Sequence, residues 1–416
     1  MSDSPIWHPF TQHGLGEPIP LVTHAEGAVL FTADGQRIID AISSWWVTTH
    51  GHCHHRIMAA IAEQAGKLDQ LIFAGWTHEP AEQLARGLRA IMPTALTRVF
   101  FSDSGSTSVE VALKMALGFW ANRGEDRHRI VVMQHSYHGD TIGAMSVGAR
   151  GVFNAAYAPL LFDVGTVPFP TDPQATLDAL EAECRAGAAA FIVEPLVLGA
   201  GGMLMYPPQV LSEMRSICAT YGTLFIADEV MTGWGRTGTL LACEQAGVVP
   251  DLLCLSKGLT GGALPLAVTM ASEAIWDAHY STDRAKTFFH SSSYTANPIA
   301  CAAANANLAI WREEPVLERI ALLAERQQAH LAALAGHPAI ANPRRCGTIA
   351  AMELGTTEGA YLSDLGPRLL GAFREAGLLL RPLGNTVYVM PPYCIGPDDL
   401  AAIHAEIGAA ADSLTT

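Results

Sequence analysis

The sequence predicts an α/β fold in which a mostly parallel central sheet is flanked by helices and accompanied by a smaller α+β domain built from both chain ends. Three observations carry that expectation. Short, continuous apolar runs alternate with amphipathic stretches through the middle of the chain, the pattern of strands buried on both faces. Glycines and polar residues punctuate the chain directly after several of these runs, where ligands sit in parallel sheets. The two ends differ in character from the middle, with shorter strands and frequent turn signals.

Taken in order, residues 21–42 read as a small meander with turns at Glu26-Gly27 and Asp34-Gly35. Arg98-Val-Phe-Phe-Ser102 is a strand that leads into a helix from about Thr107 to Ala121. On that helix Val109, Leu113, Ala116 and Trp120 fall near one face, and Glu110 and Lys114 stand at the spacing of an ion pair. Ile130–Met133, Ala190–Val193, Thr223–Ala227 and Leu252–Ser256 are the further strands of the sheet. After about residue 311, helices alternate with the strands Ala350–Leu354 and Val387–Met390. The expected division is 1–55 and 311–416 as the two parts of the small domain, with 56–310 as the large ligand-binding domain.

Composition narrows the function. A chain of 416 residues, half of them hydrophobic, can bury a sizeable core without staples. The net charge of −15 opposes a nucleic-acid partner, which would call for clustered Lys and Arg. The eight cysteines are scattered without a CxxC pair, which suits reduced thiols in a cytoplasmic enzyme. Residues Met1 to Trp7 lack the charged and apolar regions of a signal peptide. The most apolar stretch, Ala186 to Met205, is broken by Glu194, Pro195 and glycines 199, 201 and 202. A membrane helix needs about 20 nearly uninterrupted apolar residues, so this stretch reads as a buried strand running into a loop.

Three features could carry chemistry together. Ser104-Gly-Ser-Thr-Ser108 opens a helix after a strand, where free N–H groups and the helix dipole favour an anion. The plainer account is an ordinary serine cap. Asp228 ends an apolar strand, where an acid is either solvated or aimed into a cleft. Lys257 lies between a buried strand and Gly-Leu-Thr-Gly-Gly262, an unusual place for a residue that is rarely desolvated. A desolvated amine is the kind that forms Schiff bases. A pyridoxal 5'-phosphate (PLP) site needs such a lysine, an acid for the ring nitrogen and a cup for the phosphate. Tyr137-His138-Gly139 could add an aromatic face, or be no more than a solvated loop.

Two motifs compete with that reading. Gly233-Trp-Gly-Arg-Thr-Gly238 matches a dinucleotide fingerprint, but residues 228–232 separate it from its strand and Asp251 precedes the next strand instead of ending it. His50-Gly-His-Cys-His-His55 looks metal-rich but lacks the spacing of a zinc site, and no metal is expected. A non-catalytic binding module would give no reason for Lys257.

At these residues the chain resembles a known family. Ala227-Asp-Glu-Val-Met-Thr-Gly-Trp-Gly-Arg-Thr-Gly238 followed by Ser256-Lys-Gly-Leu-Thr-Gly-Gly262 is similar to the signature of class III (ω-type) aminotransferases of PLP fold type I, nearly end to end. Ile6-Trp-His-Pro9, Ser43-Ser-Trp-Trp46, the run from Asp103 to Ala116, the run from Tyr137 to Val147, Arg381-Pro-Leu-Gly384 and Met390-Pro-Pro-Tyr393 are most similar to the branch acting on 8-amino-7-oxononanoate in biotin biosynthesis. The resemblance implies that Lys257 is the Schiff-base lysine and proton shuttle and that Asp228 holds the ring nitrogen. It implies Gly105 and Ser106 at the phosphate, with Tyr137 and His138 at the ring. Phe10, Trp45, Trp46, Tyr137, Ser291 and Tyr388 would line the substrate, and Arg381 would pair with its carboxylate. A homodimer with shared sites is implied, in which Ser292 and Ser293 reach the neighbour's phosphate. Two departures bear on the amino donor. Phe10 replaces a tyrosine, and Ser291-Ser-Ser293 replaces Gly-Pro-Thr. The expected donor is S-adenosylmethionine, with lysine as donor or a generic ω-amine transaminase using pyruvate as the alternatives, and an aminomutase or decarboxylase would share Lys257 and Asp228.

Overall fold

The computed structural model describes residues 4–355 and 364–415. Its centre is a seven-stranded sheet in the order Leu96–Ser102, Ala267–Ser272, Leu252–Leu255, Leu224–Asp228, Ala190–Val193, Ile130–Met133 and Gly165–Val167. From Leu252–Leu255 to Gly165–Val167 every neighbouring pair is parallel. Ala267–Ser272 runs antiparallel to both of its neighbours. The apolar runs are continuous because helices cover both faces. Phe191, Val193, Phe225, Ala227 and Leu253 enter one core, while the intervening Ile192, Ile226, Leu252 and Cys254 enter the other. This period of two is the side-chain alternation of a strand with no wet face.

The two chain ends do meet. Val22–Glu26, Val29–Thr32 and Arg37–Asp40 form the expected antiparallel meander, and Leu378-Leu379 adds to it in parallel beside Arg37–Asp40. Ile340–Cys346, Ile349–Leu354 and Thr386–Val389 make a second antiparallel sheet.

Several sequence expectations need adjustment. The helix after Leu96–Ser102 starts at Gly105, two residues early, because Ser104 caps it and Thr107 returns a bond to the Ser104 N–H. Glu110 and Lys114 do not pair. Glu110 instead accepts from the Thr141 hydroxyl and the Gly143 N–H at 2.6 and 2.9 Å, and Lys114 donates to the Phe289 carbonyl at 2.8 Å. Tertiary partners with fixed N–H groups outcompete a surface ion pair worth only a few tenths of a kcal/mol. Five cysteines are buried, but Cys53 and Cys394 are exposed, and all eight are free. Among the described residues no helix is long and apolar enough to cross a membrane.

What this topology does for function is local. Three adjacent parallel strands end side by side, so Asp228 at the end of one, and Glu194 and Lys257 just past the ends of its two neighbours, converge on one edge of the sheet.

Candidate active site

Gly105, Ser106, Tyr137, His138, Asp228, Lys257, Trp45, Trp46 and Glu194 line one cleft at that edge. Of the four lysines in the chain, Lys67 pairs with Glu63, while Lys114 and Lys286 donate to main-chain carbonyls. Lys257 has no hydrogen-bond partner among the described residues, and its ammonium lies 5.2 Å from the centre of the Trp46 ring. Burial pushes its amine below the ordinary lysine range, against the opposing charges of Asp228 and Glu194. Its φ of 44° lies in the left-handed region, where a side chain is strained by about 1–3 kcal/mol.

Asp228 is buried, with Oδ2 2.7 Å from His138 Nδ1 and Oδ1 accepting from the Val230 N–H at 3.1 Å. The other His138 ring nitrogen, Nε2, is buried and has no partner among the described residues. Glu229, the neighbouring acid, takes no part: it is sealed under the loop and accepts from Thr232, Ala242 and Cys243. At the start of the helix Gly105–Asn122, the Gly105 and Ser106 N–H groups have no partner among the described residues and are free for an anion. A Cβ on Gly139 would lie 2.0 Å from Ser106 Oγ, and one on Gly105 2.6 Å from a Val230 methyl. Glycine at both positions lets the main chain approach. Burial, then the charge of Asp140, raises the Tyr137 phenol well above its usual range.

A second, apolar pocket adjoins this cleft and shares Trp45, Trp46 and Tyr137 with it. Its other walls include Phe10, Ile42, Phe153, Leu383 and Tyr388, and Arg381 is its one cation. Arg381 donates to the Phe10 carbonyl at 3.0 Å, lies 5.7 Å from the Trp45 ring and has no carboxylate partner among the described residues. Phe10 itself packs 5.5 Å from Trp45 and 6.1 Å from Phe153. Trp46 Nε1 donates to the Tyr388 hydroxyl at 2.9 Å.

The tryptophan pair stands on a strained turn that sequence reasoning passed over. Ser43, Ser44 and Trp46 all have positive φ, from 54° to 65°. Asp40, fully buried, holds this turn by accepting from the Ile42 and Ser44 N–H groups, and it pairs with His52 at 2.8 Å. Glu194 was also missed, although its signal matches that of Asp228: an acid at the end of an apolar strand. Burial pushes its carboxyl up to about 7.

Ser291, Ser292 and Ser293 are not brought to the cleft. They form a loop in which the Ser292 N–H donates to Thr295 and the Ser293 carbonyl accepts from Gln70. The two competing motifs also find other uses. Asp251 accepts from Arg215 and the Phe225 N–H, and the buried Arg236 side chain donates among the described residues only to carbonyls, those of Pro391, Thr48 and Trp46. His50 bonds to Asn307 at 2.9 Å.

With this geometry in view, residues 11–410 match the family model described as Aminotransferase class-III. The chain belongs to the class-III aminotransferases. It is 50% identical to the adenosylmethionine-8-amino-7-oxononanoate aminotransferase of Synechococcus elongatus, over 98% of this chain and 99% of that one. Identity to the enzyme of the same name from Mycobacterium leprae is 38%, over 96% and 93% of the two chains. Among solved structures, the Methanocaldococcus jannaschii enzyme of that name superposes with a TM-score of 0.94 at 31% identity, covering 98% and 97%. A PLP-bound amine transaminase from an uncultivated Pseudomonas species gives 0.93 at 30%, covering 99% of each chain. Class-III aminotransferases are PLP-dependent, and the fold is that of fold type I. The residues present fit that cofactor: an unpaired lysine, a buried acid, an orphaned buried histidine nitrogen and two free N–H groups face one cleft.

Proposed function

We propose that this aminotransferase converts 8-amino-7-oxononanoate to 7,8-diaminononanoate in biotin biosynthesis, with S-adenosylmethionine as amino donor. The observation that carries the reading is Arg381, a cation with no carboxylate partner among the described residues, in an otherwise largely apolar pocket that adjoins the cleft of Lys257. A long-chain keto acid needs that combination: apolar walls for its methylenes and a planar, two-pronged donor for its carboxylate. The names of the relatives from Synechococcus elongatus and Mycobacterium leprae support the same reading.

In this assignment Lys257 would hold the cofactor, and its Nζ would move the proton at the substrate's amine-bearing carbon. Asp228 would hold the positive charge of the cofactor's ring nitrogen, its carboxylate fixed by His138. The Gly105 and Ser106 N–H groups bind the phosphate at the helix N-terminus. Tyr137 and Trp46, which line the cleft, would exclude water from it and orient the bound group. PLP supplies the electron sink and the carrier for the amino group in transit.

The assignment extends to a homodimer. Ser291–Ser293 lies outside its own chain's cleft and is tied through Gln70 and Asn297 to residues 69 and 70. On these linked segments the apolar side chains of Ile72, Trp76, Phe289 and Tyr294 are 65, 66, 72 and 63% exposed, surface that a partner would cover. A partner covering that surface would bring its Ser292 and Ser293 toward a neighbouring phosphate site.

The test is to incubate purified, PLP-loaded enzyme with 8-amino-7-oxononanoate and one donor at a time, and to measure the diamine. S-adenosylmethionine should support turnover. Turnover with lysine alone would reassign the donor. No diamine with any donor, together with amine-dependent conversion of pyruvate, would replace the reading by a generic ω-amine transaminase.

A further inference from the structure

A buried carboxylate, Glu194, without a cationic partner among the described residues stands between two loops of the cleft. Glu194 follows the strand Ala190–Val193 just as Asp228 ends the next one, and the nearby base His138 is already committed to Asp228. Among the described residues the Glu194 carboxylate has only main-chain donors. Oε1 accepts from the Tyr137 N–H and Oε2 from the Gly199 N–H, each at 2.9 Å, while its own carbonyl accepts from the Tyr206 hydroxyl at 2.8 Å. Burying a carboxylate this way is unfavourable, and a pocket fold gains little from it unless the two bonds do something specific. Asp228 adds to the burial in raising this carboxyl.

Both tied segments touch groups that line the cleft. Tyr137 forms part of its wall directly. Gly199 begins a turn that leaves no slack: a Cβ there would fall 3.0 Å from Met231 Cε and 3.1 Å from the Trp46 ring. A Cβ on Gly201 would lie 2.4 Å from the carbonyl of His135, in the loop that leads to Tyr137. Arg344 clamps the same turn from outside, donating to the Gly202 and Met203 carbonyls at 2.7 and 2.8 Å. The turn is thus pressed against Trp46 on one side and the Tyr137 loop on the other.

We propose that Glu194 is a positioning residue of this site, whose two carboxylate oxygens fix the separation between Tyr137 and Trp46, the aromatic walls lining the cleft of Lys257. The proposal rests on the reading of that cleft as the PLP site. Glu194 acts through its two N–H ties and not through its charge alone. Glutamine in its place keeps one acceptor but sets an NH2 donor against the second N–H, so that one loop is released at constant volume. Aspartate keeps the charge but is one methylene too short to span both.

The experiment compares Glu194→Gln, Glu194→Asp and the unmodified enzyme, each loaded with PLP. The readouts are the visible circular dichroism of the bound cofactor, kcat and KM for the donor, and thermal unfolding. Both variants should bind PLP with altered visible dichroism, and kcat should fall about 10- to 100-fold, the effect expected of an ångström-scale misplacement. Donor KM should change less than kcat. Gly199→Ala, which presses on Trp46 from the far side of the turn, should alter the dichroism as well. Aspartate behaving like the unmodified enzyme while glutamine does not would overturn the proposal, since charge alone would then suffice. Lower thermal stability with unchanged dichroism and kcat would overturn it too, leaving a purely structural role. If neither Glu194 variant folds, Gly199→Ala decides: unchanged dichroism and kcat there would show that the turn's placement is immaterial. Failure of the unmodified protein to take up PLP would instead defeat the cofactor reading, a different outcome from any of these.

Discussion

Replacing Arg381 with alanine separates recognition of a carboxylate from mere upkeep of the pocket. The guanidinium does two things in the structure: it donates to the Phe10 carbonyl at 3.0 Å, and it offers its remaining N–H groups to the apolar pocket. A charge-assisted pair is worth roughly 1.5–3 kcal/mol, so its loss should lower kcat/KM for 8-amino-7-oxononanoate about 10- to 150-fold. The loss of the Phe10 tie would add a smaller effect, since a neutral hydrogen bond contributes about 1 kcal/mol net. The assay is the acceptor half-reaction, followed by stopped-flow absorbance from the aminated cofactor. Methyl-esterified acceptor runs beside the free acid, and the donor half-reaction is measured separately. The unmodified enzyme should prefer the acid to the ester, and Arg381→Ala should erase that preference while leaving the donor half-reaction largely intact. Equal losses on acid and ester, or equal damage to both half-reactions, would refute carboxylate recognition and leave Arg381 as the anchor of the Phe10 segment.

Further outcomes follow from the same geometry. Asp228→Asn keeps volume but removes the charge beside His138; half-reaction rates should fall by about two to three orders of magnitude with a smaller loss of PLP affinity, and near-normal single-turnover rates would show that another acid serves the ring. Phe10→Tyr places a hydroxyl on a ring 5.5 Å from Trp45; use of S-adenosylmethionine should hold or improve, and a selective loss with that donor would count against it. Acid sensitivity should come partly from His50, whose burial depresses it from 6.5 to about 4. A histidine neutral in the fold but free to protonate when unfolded gives stability that is full above pH 6.5 and lost as pH falls toward 4. The contribution is about 3 kcal/mol, so urea midpoints of His50→Gln should fall less steeply over that window than those of the unmodified enzyme. Glu194 works with the opposite sign, since its raised carboxyl favours the fold most below pH 4.5 and least above 7.

Much of this was legible in the sequence because burial on both faces leaves a plain mark. The runs ending at Val193, Ala227 and Leu255 are apolar without interruption, so their parallel neighbours and the position of Lys257 could be read directly. The strand Gly165–Val167 could not, being three residues long at the sheet edge. Ala267–Ser272 mixes small and polar residues that pack only in context. Glu110 and Lys114 misled because helical spacing says which residues can meet, while their actual partners come from residues 141–144 and 289, far away in sequence. Asp40 and Glu194 were hidden for a related reason. Each works by accepting main-chain N–H groups from strained or glycine-rich loops, and loop geometry leaves no periodic trace in the sequence.

The most direct measurement of the central claim is to identify the residue that carries the cofactor. Borohydride reduction of the PLP-loaded enzyme, digestion and peptide mass mapping would read all four lysines at once. The pyridoxyl mass should appear on the peptide containing Lys257 and on none of those containing Lys67, Lys114 or Lys286, and Lys257→Ala should lose both the label and turnover. Label at one of the other three lysines, or full activity in Lys257→Ala, would contradict the assignment of the site.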